Sequence, residues 1–551
     1  MLINPILRFE KKNPEAACLY RLQGERWIPF SRANVVDAVY RLCTQWQTDG
    51  LKPGQRVLVL MENRPEWAVA AIACSLYGLV LVPAYTTHQE DEIDYLLAKA
   101  QAAAVITSDG ALRDRLKSIS SASQLSWYVA DNESQVLFPE LTQRDEEITL
   151  NQDPDALYAL IPTSGTDGHP KLVELTQNNI FANVTSILTV LRDAKIDQPH
   201  RFLSFLPLAH AYEHMAGLYL PFHLGGEIFY CERLDKLANL MADVKPTLMT
   251  AVPRLYELLY SRIIAQVDKS GGVKQRLFQA AIHLGNQSSF TTKERCINWI
   301  CERLVRNKVR KRFGGRLQYF VSGGAALNPE ISRFFMGLGV GILQGYGQTE
   351  ASPVISVNRP GSARAETVGP ALPNVEVRLS EDGELLVRGE NVMRGYWQDP
   401  KATGATIRNE WLYTGDLAEI DPDGHIRIVG RLKDLIVNSG GDNIAPAPIE
   451  QEITLYAEVD QVIVVGDGKP FLSALICLNN GFETADPDTT LLTVLKRYNA
   501  NKPALLQVRR GLLMSEPCTI ENGLLTPTQK IKRSLVVKRY QEEINALYGN
   551  I

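Results

Sequence analysis

Apolar and polar residues alternate between strand-like and helix-like patterns over the first 150 positions. Short apolar runs at 57–61, 79–82 and 102–106 predict buried strands, and the segments 65–76 and 90–100 between them have helical composition. Strands that alternate with helices in this way predict a parallel sheet with helices on its faces.

The most apolar long stretch, at 67–85, reaches the length at which a membrane span has to be considered. Gly78 divides it into an alanine-rich part and a β-branched part that ends at Pro83. We therefore interpret it as a buried helix followed by a strand. The N-terminus lacks the basic start and long apolar core of a signal peptide, so we expect neither a leader nor a transmembrane segment.

The alternation continues beyond residue 150 and then changes. Further strands are predicted at 157–161, 172–175, 201–206, 244–251, 317–321 and 340–343. Helices are predicted at 178–191, at 253–266 and across the basic segment 269–315. From about residue 370, short strands with close turns at 375–379, 384–387, 411–413 and 426–429 indicate a small β subdomain.

The end of the chain has the pattern of a separate domain, with helices at 448–456 and 490–499 and strands at 459–466 and 472–478. A chain of 551 residues is several times a typical domain length, which favours more than one domain. We predict an α/β protein. Residues 1–432 form a large N-terminal domain of mixed and parallel sheets flanked by helices plus the small β subdomain, and residues 433–551 form a small α+β C-terminal domain.

Composition and charge narrow the function classes. The 45% hydrophobic and 22% charged residues are ordinary for a soluble globular protein. A formal net charge of −4 argues against a nucleic-acid-binding surface as the main purpose. The eight cysteines are scattered and form no CxxC pair, so we interpret them as reduced, mostly buried thiols of a cytosolic protein rather than zinc ligands or disulfides.

The sequence TSGTDGHPK at 163–171 lies between two strand-like segments. Glycines let the backbone approach a phosphate closely, and the hydroxyl groups and Lys171 add donors and positive charge. It is not a Walker loop, because Pro170 precedes the lysine, Leu172 follows it and no helix begins there. The pattern predicts a phosphate-binding loop, although an ordinary glycine-rich hairpin would look the same.

Other candidate residues follow predicted strands, where the sites of open α/β sheets lie. His210 and Tyr212 come after the strand at 201–206, although a hydrogen-bonded loop histidine is the favoured interpretation of His210 taken alone. Tyr346, among glycines, could stack on a planar base. Glu350 near phosphates would call for a divalent cation, and Asp416 could accept hydrogen bonds from a ribose diol.

Two basic segments allow more than one interpretation. Lys530 lies in a Thr/Pro-rich loop before a basic helix, and its role depends on whether it reaches the first site. The cluster of arginines and lysines at 303–312 is interpreted as a solvated face, with a patch for an acidic partner or anionic lipid as the alternative.

Together these pieces resemble the adenylate-forming superfamily of acyl-CoA synthetases, non-ribosomal peptide adenylation domains and luciferases. The resemblance covers about residues 10–540, in family order. The matching stretches are TSGTDGHPK (163–171), LPLAHAYEH (206–214), SGGAAL (322–327), GYGQTE (345–350), GELLVRGENVMRGYW (383–397), YTGD (413–416), GRLKDLIVNSGGDNIAPAPIE (430–450) and LTPTQKIKR (525–533). Three of them look most like the long-chain fatty acyl-CoA synthetase branch.

The resemblance implies a role for each matching residue. The residues matching the loop that holds the ATP phosphates are Thr163, Ser164, Gly165, Thr166, Gly168 and Lys171. Those matching the adenine slot are Gly324, Ala325 and Tyr346, and the ribose contacts are Asp416 and Arg431. Those matching the α-phosphate and magnesium contacts are Thr349 and Glu350. Thr166 is implied as a second magnesium ligand, and His210 is implied as a catalytic residue beside the reacting groups. Those matching the C-terminal machinery are the catalytic Lys530, the hinge Lys433, and Gly440 and Gly441 at a thiol tunnel.

The implied activity is ATP- and Mg²⁺-dependent activation of a medium- to long-chain fatty acid, followed by transfer to the thiol of CoA. Because the first step needs Lys530 and the second needs it out of the way, the resemblance implies a mobile C-terminal domain. Transfer to an acyl carrier protein, adenylation without transfer, and a catalytically weak nucleotide-binding protein are the alternatives. The expected location is cytoplasmic, with peripheral contact at the inner membrane left open.

Three residues depart from the family pattern. Asp167 stands where the family usually has Thr or Ser, Leu172 replaces a usual Gly and Gln177 a usual His. A carboxylate inside a phosphate loop should repel ATP unless it turns outward. We expect these changes to modulate ATP affinity without abolishing it, because the matching charged residues are present.

Overall fold

The structure, a computed structural model, describes residues 2–119, 121, 125–130, 136–141, 151, 153–163, 170–192, 196, 198–231, 236–287, 289–479, 486–526 and 530–549. The chain divides into two compact units. Unit 1 comprises Met1–Val377, Leu386–Tyr413 and Pro422–Ile426, and unit 2 comprises Arg378–Leu385, Thr414–Asp421 and Arg427–Ile551.

The first part of the chain alternates helices and strands as the hydrophobic pattern predicts. In chain order they are α1 (Asn4–Lys12), β1 (Ala17–Gln23), β2 (Arg26–Ser31), α2 (Arg32–Thr48), β3 (Arg56–Leu60), α3 (Pro65–Tyr77), β4 (Val80–Ala84), α4 (Glu90–Ala100), β5 (Ala102–Thr107), α5 (Gly110–Leu116), β6 (Ser126–Val129), β7 (Leu157–Thr163), β8 (Lys171–Thr176) and α6 (Gln177–Leu191).

The middle of the chain carries two π-helical turns, at His214–Tyr219 and Glu302–Arg306, and a 3₁₀ turn at Thr349–Ala351. Its other elements are β9 (Arg201–Ser204), α7 (Ala211–Glu213), α8 (Leu220–Leu224), β10 (Glu227–Tyr230), α9 (Leu237–Val244), β11 (Leu248–Ala251), α10 (Pro253–Ser270), α11 (Gly272–Gly285), α12 (Thr292–Cys301), α13 (Asn307–Arg312), β12 (Tyr319–Ser322), α14 (Pro329–Gly337), β13 (Gly341–Gly347) and β14 (Val354–Val357).

The last part begins with short strands, as predicted. Its elements are β15 (Val375–Leu379), β16 (Glu384–Gly389), β17 (Gly395–Tyr396), α15 (Pro400–Thr406), β18 (Ile407–Arg408), β19 (Trp411–Ile420), β20 (Ile426–Arg431), β21 (Ile436–Val437), β22 (Asn443–Ile444), α16 (Pro446–Ile453), β23 (Val459–Val465), β24 (Leu472–Leu478), α17 (Pro487–Asn499), β25 (Val508–Leu513), α18 (Arg533–Arg539) and α19 (Gln541–Ala546). Leu432–Asp434 and Ala504–Leu506 are 3₁₀ turns.

Unit 1 contains two large sheets, which confirms the predicted α/β class. One has the strand order β17-β8-β7-β4-β3-β5-β6, with the β4-β3-β5-β6 pairs parallel and the β7–β8 hairpin antiparallel. The other has the order β14-β13-β12-β11-β9-β10-β1-β2, parallel from β13 to β1 and antiparallel at both edges. Parallel pairing directs the ends of β9, β11 and β12 to one edge, where the candidate site lies.

Helix α3 explains the most apolar stretch of the sequence. It contacts β4 of one large sheet and β1 of the other, and each of its residues is buried. A helix that is buried on every side has no polar face, which is why the segment resembles a membrane span. Gly78 ends it in the left-handed conformation (φ 88°), as glycine readily does, and β4 follows, which confirms the predicted helix–strand unit.

The C-terminal part has its own sheet and core. Strands β23, β24 and β25 form a three-stranded sheet, antiparallel between β23 and β24 and parallel between β24 and β25. Helices α16 and α17 pack on it through a buried cluster that includes Ile449, Val494 and Ile476. A second cluster, which includes Leu475, Val536 and Ile544, joins α18 and α19 to the same sheet. These two clusters explain the apolar pattern that predicts a separate small domain.

The predicted strand boundaries at 244 and 413 are wrong. The strand predicted at 244–251 begins only at Leu248, because Val244 ends helix α9 and Lys245 caps it in the left-handed conformation. The sequence YTGD, predicted to end a strand at residue 413, lies inside β19, which continues to Ile420. Gly415 within it has φ 73°, so the glycine marks an irregularity in a long strand rather than its end.

Seven of the eight cysteines are buried, Cys296 is exposed, and none forms a disulfide. Within the described ranges, no helix has both the length and the apolar character needed to cross a bilayer.

Candidate active site

The predicted phosphate-binding loop connects the two strands of an antiparallel hairpin. Thr163 at the end of β7 pairs with Lys171 at the start of β8, and the Thr163 hydroxyl lies 3.4 Å from the Lys171 carbonyl oxygen. The loop residues predicted to bind phosphate, Ser164, Gly165, Thr166 and Gly168, lie outside the described residues, as does Asp167. The described strands therefore fix where the loop begins and ends.

Strand β17 brings an aromatic side chain to the hairpin. Tyr396 pairs with Val173 of β8, and the Lys171 Nζ lies 5.0 Å from the centroid of the Tyr396 ring. The Tyr396 hydroxyl donates a hydrogen bond of 2.8 Å to Glu350 Oε1. Burial, followed by the negative charge of Glu350, raises the pKa of Tyr396, so the hydroxyl keeps its proton and acts as a donor.

Glu350 is held by backbone contacts. It lies in the 3₁₀ turn with Thr349, and its carbonyl oxygen accepts a hydrogen bond from the amide of Met393 at 2.9 Å. The Asn391 side chain donates to the carbonyl of Ala351 at 3.0 Å, which fastens the same turn. The structure therefore brings Lys171, Tyr396 and Glu350 together, as the predicted roles of Lys171 and Glu350 require.

Helix α6 donates side-chain hydrogen bonds to the segments that surround Glu350. The Asn179 side-chain amide donates to the carbonyl oxygens of Glu390 and Val392, at 2.7 and 3.0 Å. Asn183 in the same helix donates to the carbonyl of Val354 at 2.7 Å. These bonds hold the segment at 390–392 and the strand that follows Glu350 against the same helix.

The glycine-rich turn after β12 lies under an aromatic ring. A Cβ atom placed on Gly323 would lie 3.0 Å from Cζ of Tyr212, so this position accepts no larger residue without moving the ring. The Tyr212 hydroxyl donates to the carbonyl of Val321 at 2.9 Å. Gly324 has φ 84° and continues the turn to Ala325.

Tyr346 lies on the strand next to this turn. The predicted strand at 340–343 extends through Gly347, so Tyr346 is part of β13 and pairs with Ser356 of β14. Ser322, which ends β12, pairs with Gln344 two residues earlier in β13. The residues predicted to form the adenine slot are thus on neighbouring strand ends.

His210 has a structural role in the described chain. Its Nδ1 accepts a hydrogen bond from the amide of Tyr212 at 3.2 Å, which caps the short helix α7. This contact agrees with the alternative reading of a hydrogen-bonded loop histidine. Its predicted catalytic role stays a prediction.

The motif that contains His210 also contains a buried acidic residue that the sequence analysis does not single out. Glu213 accepts hydrogen bonds from the hydroxyls of Ser204 at 2.7 Å and Thr250 at 2.8 Å. Burial raises the pKa of Glu213 to about 7, and the two hydroxyls oppose the rise. The bonds tie α7 to the ends of β9 and β11, and only the folded structure shows these strand ends together.

Asp416 and Arg431, the predicted ribose contacts, form an ion pair. Arg431 Nε lies 2.8 Å from Asp416 Oδ1, with the carboxylate buried and the guanidinium more exposed. The amide of Asp416 donates to the Thr414 hydroxyl at 3.1 Å, and that hydroxyl donates to the carbonyl of Leu385 at 2.7 Å. All four residues belong to unit 2.

Lys530 lies in the electrostatic field of that ion pair. Although the residue exposes much of its surface, desolvation of its ammonium group lowers the pKa of Lys530, Arg431 lowers it further and Asp416 opposes the shift. The backbone of Lys530 exchanges hydrogen bonds with Thr526, at 2.8 Å to the Thr526 amide and 3.0 Å to its hydroxyl. Residues 527–529 lie outside the described chain.

The remaining predicted residues lie in turns of the same unit. Lys433 is exposed in a 3₁₀ turn that follows Arg431. Gly440 and Gly441 lie between β21 and β22, where Gly441 has φ 86° and the Gly440 amide donates to Asn438 Oδ1 at 2.9 Å. Thus one group of predicted residues assembles around Tyr396 in unit 1, and a second assembles around Asp416 in unit 2.

A magnesium ion is compatible with the residues at the first group. Carboxylate oxygens are ligands that Mg²⁺ prefers, and Tyr396 engages only Oε1 of Glu350 by the hydrogen bond described above. The second oxygen of Glu350 is therefore the one through which it would hold the ion.

Comparison with known proteins identifies two matching family models. The model described as AMP-binding enzyme matches residues 8–397, and the model described as AMP-binding enzyme C-terminal domain matches residues 433–551. A long-chain-fatty-acid–CoA ligase of Mycobacterium tuberculosis is 29% identical over 99% of this chain and 96% of its own length. A peroxisomal long chain acyl-CoA synthetase of Arabidopsis thaliana is 32% identical over 91% of this chain and 79% of its own.

Solved structures share the fold. ATP-bound MatB from Rhodopseudomonas palustris superposes with a TM-score of 0.76 at 22% identity, covering 98% of this chain and 99% of the other. The adenylation domain of a carboxylate reductase from Mycobacterium chelonae has a TM-score of 0.78 at 20% identity, covering 100% and 91%.

Proposed function

The chain belongs to the AMP-binding enzyme family, in its long-chain acyl-CoA synthetase-like branch, and on this premise we propose that it is an AMP-forming acid–thiol ligase. It activates a medium- to long-chain fatty acid with ATP and transfers the acyl group to CoA. The observation that carries the proposal is the grouping of Lys171, Tyr396 and Glu350 beside the hairpin loop. Relatives named as fatty-acid ligases, similar along almost the whole chain, support the substrate class.

In the first half-reaction a carboxylate oxygen of the fatty acid attacks the α-phosphorus of ATP. An acyl–O–P bond forms, the P–O bond to pyrophosphate breaks, and acyl-AMP results. Two anions meet in this step, so positive charge must offset their repulsion. Lys171 and the hairpin loop hold the β- and γ-phosphates, Thr349 contacts the α-phosphate, and Lys530 bridges the carboxylate and the α-phosphate. Magnesium, held by Glu350 and Thr166, would neutralise further phosphate charge.

We assign the nucleoside contacts to the residues that match the family motifs. Gly324 and Ala325 give a flat backbone surface for adenine, and Tyr346 lies against its face. The buried carboxylate of Asp416 accepts hydrogen bonds from the ribose hydroxyls, with Arg431 holding that carboxylate in position. The positive charge that Arg431 adds near Lys530 is offset when the anionic nucleotide binds.

In the second half-reaction the CoA thiol attacks the acyl carbon, and AMP leaves. The same lysine that assists the first step would obstruct the second, so residues 433–551 rotate as a mobile domain about Lys433. The C-terminal family model, which matches 433–551, supports this boundary. Gly440 and Gly441 then line the thiol tunnel.

The alternative acceptor is the phosphopantetheine thiol of an acyl carrier protein, and the motifs of the two kinds of ligase do not separate these thiols. Asp167 keeps a second alternative open, a weakly active nucleotide-binding protein. We place the protein in the cytoplasm with peripheral contact at the inner membrane, because its proposed substrate partitions into bilayers.

The test measures pyrophosphate and AMP release with ATP, Mg²⁺ and a panel of fatty acids, with CoA, with a carrier protein, or with neither. Turnover only with CoA supports the proposal, and turnover only with the carrier moves the acceptor to the alternative. A single burst in every case means adenylation without transfer. No release despite ATP binding overturns the enzyme proposal for these substrates.

Lys530→Ala tests the role assigned to that residue. We expect adenylation to fall about 10²- to 10³-fold, because a charge that stabilises the transition state is lost. Transfer from synthetic acyl-AMP to CoA should stay within a few-fold of wild type. Lys532→Ala removes the same charge two residues away and serves as the matched control. Equal loss in both variants would contradict the assigned role.

A further inference from the structure

The helical segment 292–312, composed of α12, a π-helical turn and α13, carries an unusual concentration of charge. It contains eight basic residues and two acidic ones, although the whole chain has a net charge of −4. Six of the basic residues are exposed, namely Lys293, Arg295, Arg303, Lys308, Lys311 and Arg312. The segment is therefore a local basic region on an acidic protein.

The acidic residues of the segment do not cancel this charge at the surface. Glu294 accepts hydrogen bonds from the amide and hydroxyl of Thr291, both at 2.8 Å, as the acidic member of a helix cap. Glu302 pairs with Arg306 and Arg310. Both carboxylates are thus engaged with neighbouring groups, and the exposed basic side chains dominate the outward electrostatic potential.

The same surface exposes large apolar side chains. Trp299, Ile300 and Leu304 are 63%, 40% and 49% exposed, within six consecutive residues. Trp299 is the one exposed tryptophan among seven, and Arg303 stacks over its ring at 5.7 Å. Tryptophan and leucine flanked by basic residues are typical of helices that lie in the membrane–water interface.

A buried arginine fixes which side of the segment faces outward. Arg306 donates to the carbonyl of Gly337 at 2.8 Å and to that of Ala281 at 2.6 Å. Cys301 and Val305 are buried on the same inward side. These inward contacts fix the orientation of the helix, so that Trp299 and Arg303 face outward.

The outward side chains form one continuous surface. Residues 299, 303, 307 and 311 follow helical spacing. A surface depression is lined by Trp299, Glu302, Arg303, Asn307, Lys308 and Lys311. Three cationic side chains around one depression suit the phosphate of an anionic lipid, with Trp299 at the acyl boundary.

We propose that residues 292–312 form a surface that binds the face of an anionic lipid bilayer. The apolar residues insert at the interface while the basic residues contact lipid phosphates. A bilayer suits this surface better than an acidic protein, because Ile300 and Leu304 lie one helical turn apart, Trp299 adjoins them, and basic residues flank these three apolar side chains on both sides. The proposal identifies the surface that contacts the membrane. Because this contact needs no nucleotide or acyl substrate, it can be tested independently of the ligase proposal.

The test uses the full-length protein and two kinds of vesicle, phosphatidylcholine alone and phosphatidylcholine mixed with phosphatidylglycerol. We expect binding by sedimentation to the anionic vesicles and much weaker binding to the neutral ones, with the difference reduced by salt. The triple variant R303Q/K308Q/K311Q should lower the partition coefficient about a hundredfold, since each basic residue contributes about fivefold. The variant W299S/L304S should lower it about tenfold and leave the salt dependence in place.

A matched control removes three exposed lysines from other parts of the chain, K52Q/K117Q/K401Q, and should stay within about twofold of wild type. Circular dichroism checks that each variant is folded. Equal binding to both vesicle types, or an equal loss in the control triple, overturns the proposal. A dimer that forms without lipid and is abolished by W299S/L304S assigns the surface to a second copy, and binding to an acidic carrier protein without vesicle binding assigns it to that partner.

Discussion

Among single residues, Tyr396 has the most informative contacts. Its ring lies beside the Lys171 ammonium group and its hydroxyl donates to Glu350, so one side chain separates and orients two opposite charges. Without it, the lysine and the carboxylate could pair with each other instead of with phosphate and metal. We infer that Tyr396 is a positioning residue.

Tyr396→Phe removes the hydroxyl and keeps the ring. We expect kcat/KM for ATP in the adenylation half-reaction to fall about tenfold to a hundredfold, because a hydrogen bond to a charged acceptor contributes about 1.5–3 kcal/mol. Pyrophosphate exchange at varied Mg²⁺ measures the effect, and the Mg²⁺ dependence should weaken as well. Tyr77→Phe, which removes a hydroxyl bonded to the carbonyl of Leu51, is the control and should leave exchange unchanged. A normal rate for Tyr396→Phe would contradict the positioning role.

Glu213 makes stability depend on pH. Its pKa is raised to about 7 in the folded protein, so between pH 4.5 and 7 the folded state binds more protons than the unfolded state. Stability therefore falls as pH rises through this range and levels off above it. The total change in unfolding free energy is about 3.5 kcal/mol, since one pKa unit corresponds to about 1.4 kcal/mol.

Glu213→Gln removes the titrating group and should flatten this part of the pH profile. We expect the denaturant midpoint of the variant, relative to wild type, to rise from pH 5 to about pH 7 and to level off above it. The exposed Glu390→Gln variant is the control and should follow wild type at each pH. A Glu213→Gln profile parallel to that of wild type would show that the carboxyl group does not titrate in this range.

At the scale of elements, the π-helical turn His214–Tyr219 depends on a glycine. A Cβ atom on Gly217 would lie 2.1 Å from Glu213 Oε1, and Glu213 is held by Ser204 and Thr250. Gly217→Ala must therefore displace the carboxylate from both hydroxyls. We expect a loss of about 1–3 kcal/mol in unfolding free energy, measured by denaturant titration.

A double-mutant cycle with Glu213→Ala tests the cause. The loss from Gly217→Ala should shrink by more than about 1 kcal/mol once the carboxylate is absent. Gly404 in α15, with no atom within 4 Å of its would-be Cβ, is the matched control, and Gly404→Ala should be neutral or stabilising by up to about 1 kcal/mol. Additive losses in the cycle would exclude the steric explanation.

Elements buried on one or both sides could be predicted from the sequence. Strand β24 and helix α4 occupy the predicted positions, because their apolar residues follow the period of the element. The start of β11 could not be predicted from the sequence. The strand predicted from Val244 includes the last residue of helix α9 as well as β11. The predicted strand at 411–413 is shorter than β19, which continues to Ile420, because a glycine inside a strand and a glycine at its end look alike in a sequence.

The site was predictable only in part, for a related reason. Lys171, Glu350 and Asp416 come from motifs whose composition points to phosphate, metal and ribose. The contacts that orient them, such as Tyr396 on a two-residue strand and Thr250 beside Glu213, join segments far apart in the chain. No local pattern carries such information, because packing alone decides it.

At the scale of the whole molecule, the proposed hinge makes the two half-reactions separable. Lys433→Pro would fix φ at this residue and remove a backbone donor within the 3₁₀ turn. We expect adenylation to stay within a few-fold of wild type and transfer from acyl-AMP to CoA to fall about tenfold or more. Single-turnover assays of each half-reaction measure the two effects. Lys433→Ala keeps the backbone free and should spare both, and a proline variant that slows both steps equally would contradict a hinge at this position.

The distribution of thiols has a practical consequence. Seven cysteines are buried and Cys296 is exposed, on α12 one helical turn before Trp299. A bulky maleimide dye added to the native, unmodified protein should therefore attach at one position. Such a dye would report the polarity around α12. Its emission should shift when α12 moves from water into a less polar environment. The wild-type chain thus has a native site for attaching a fluorescent label to α12, and no engineered cysteine is needed.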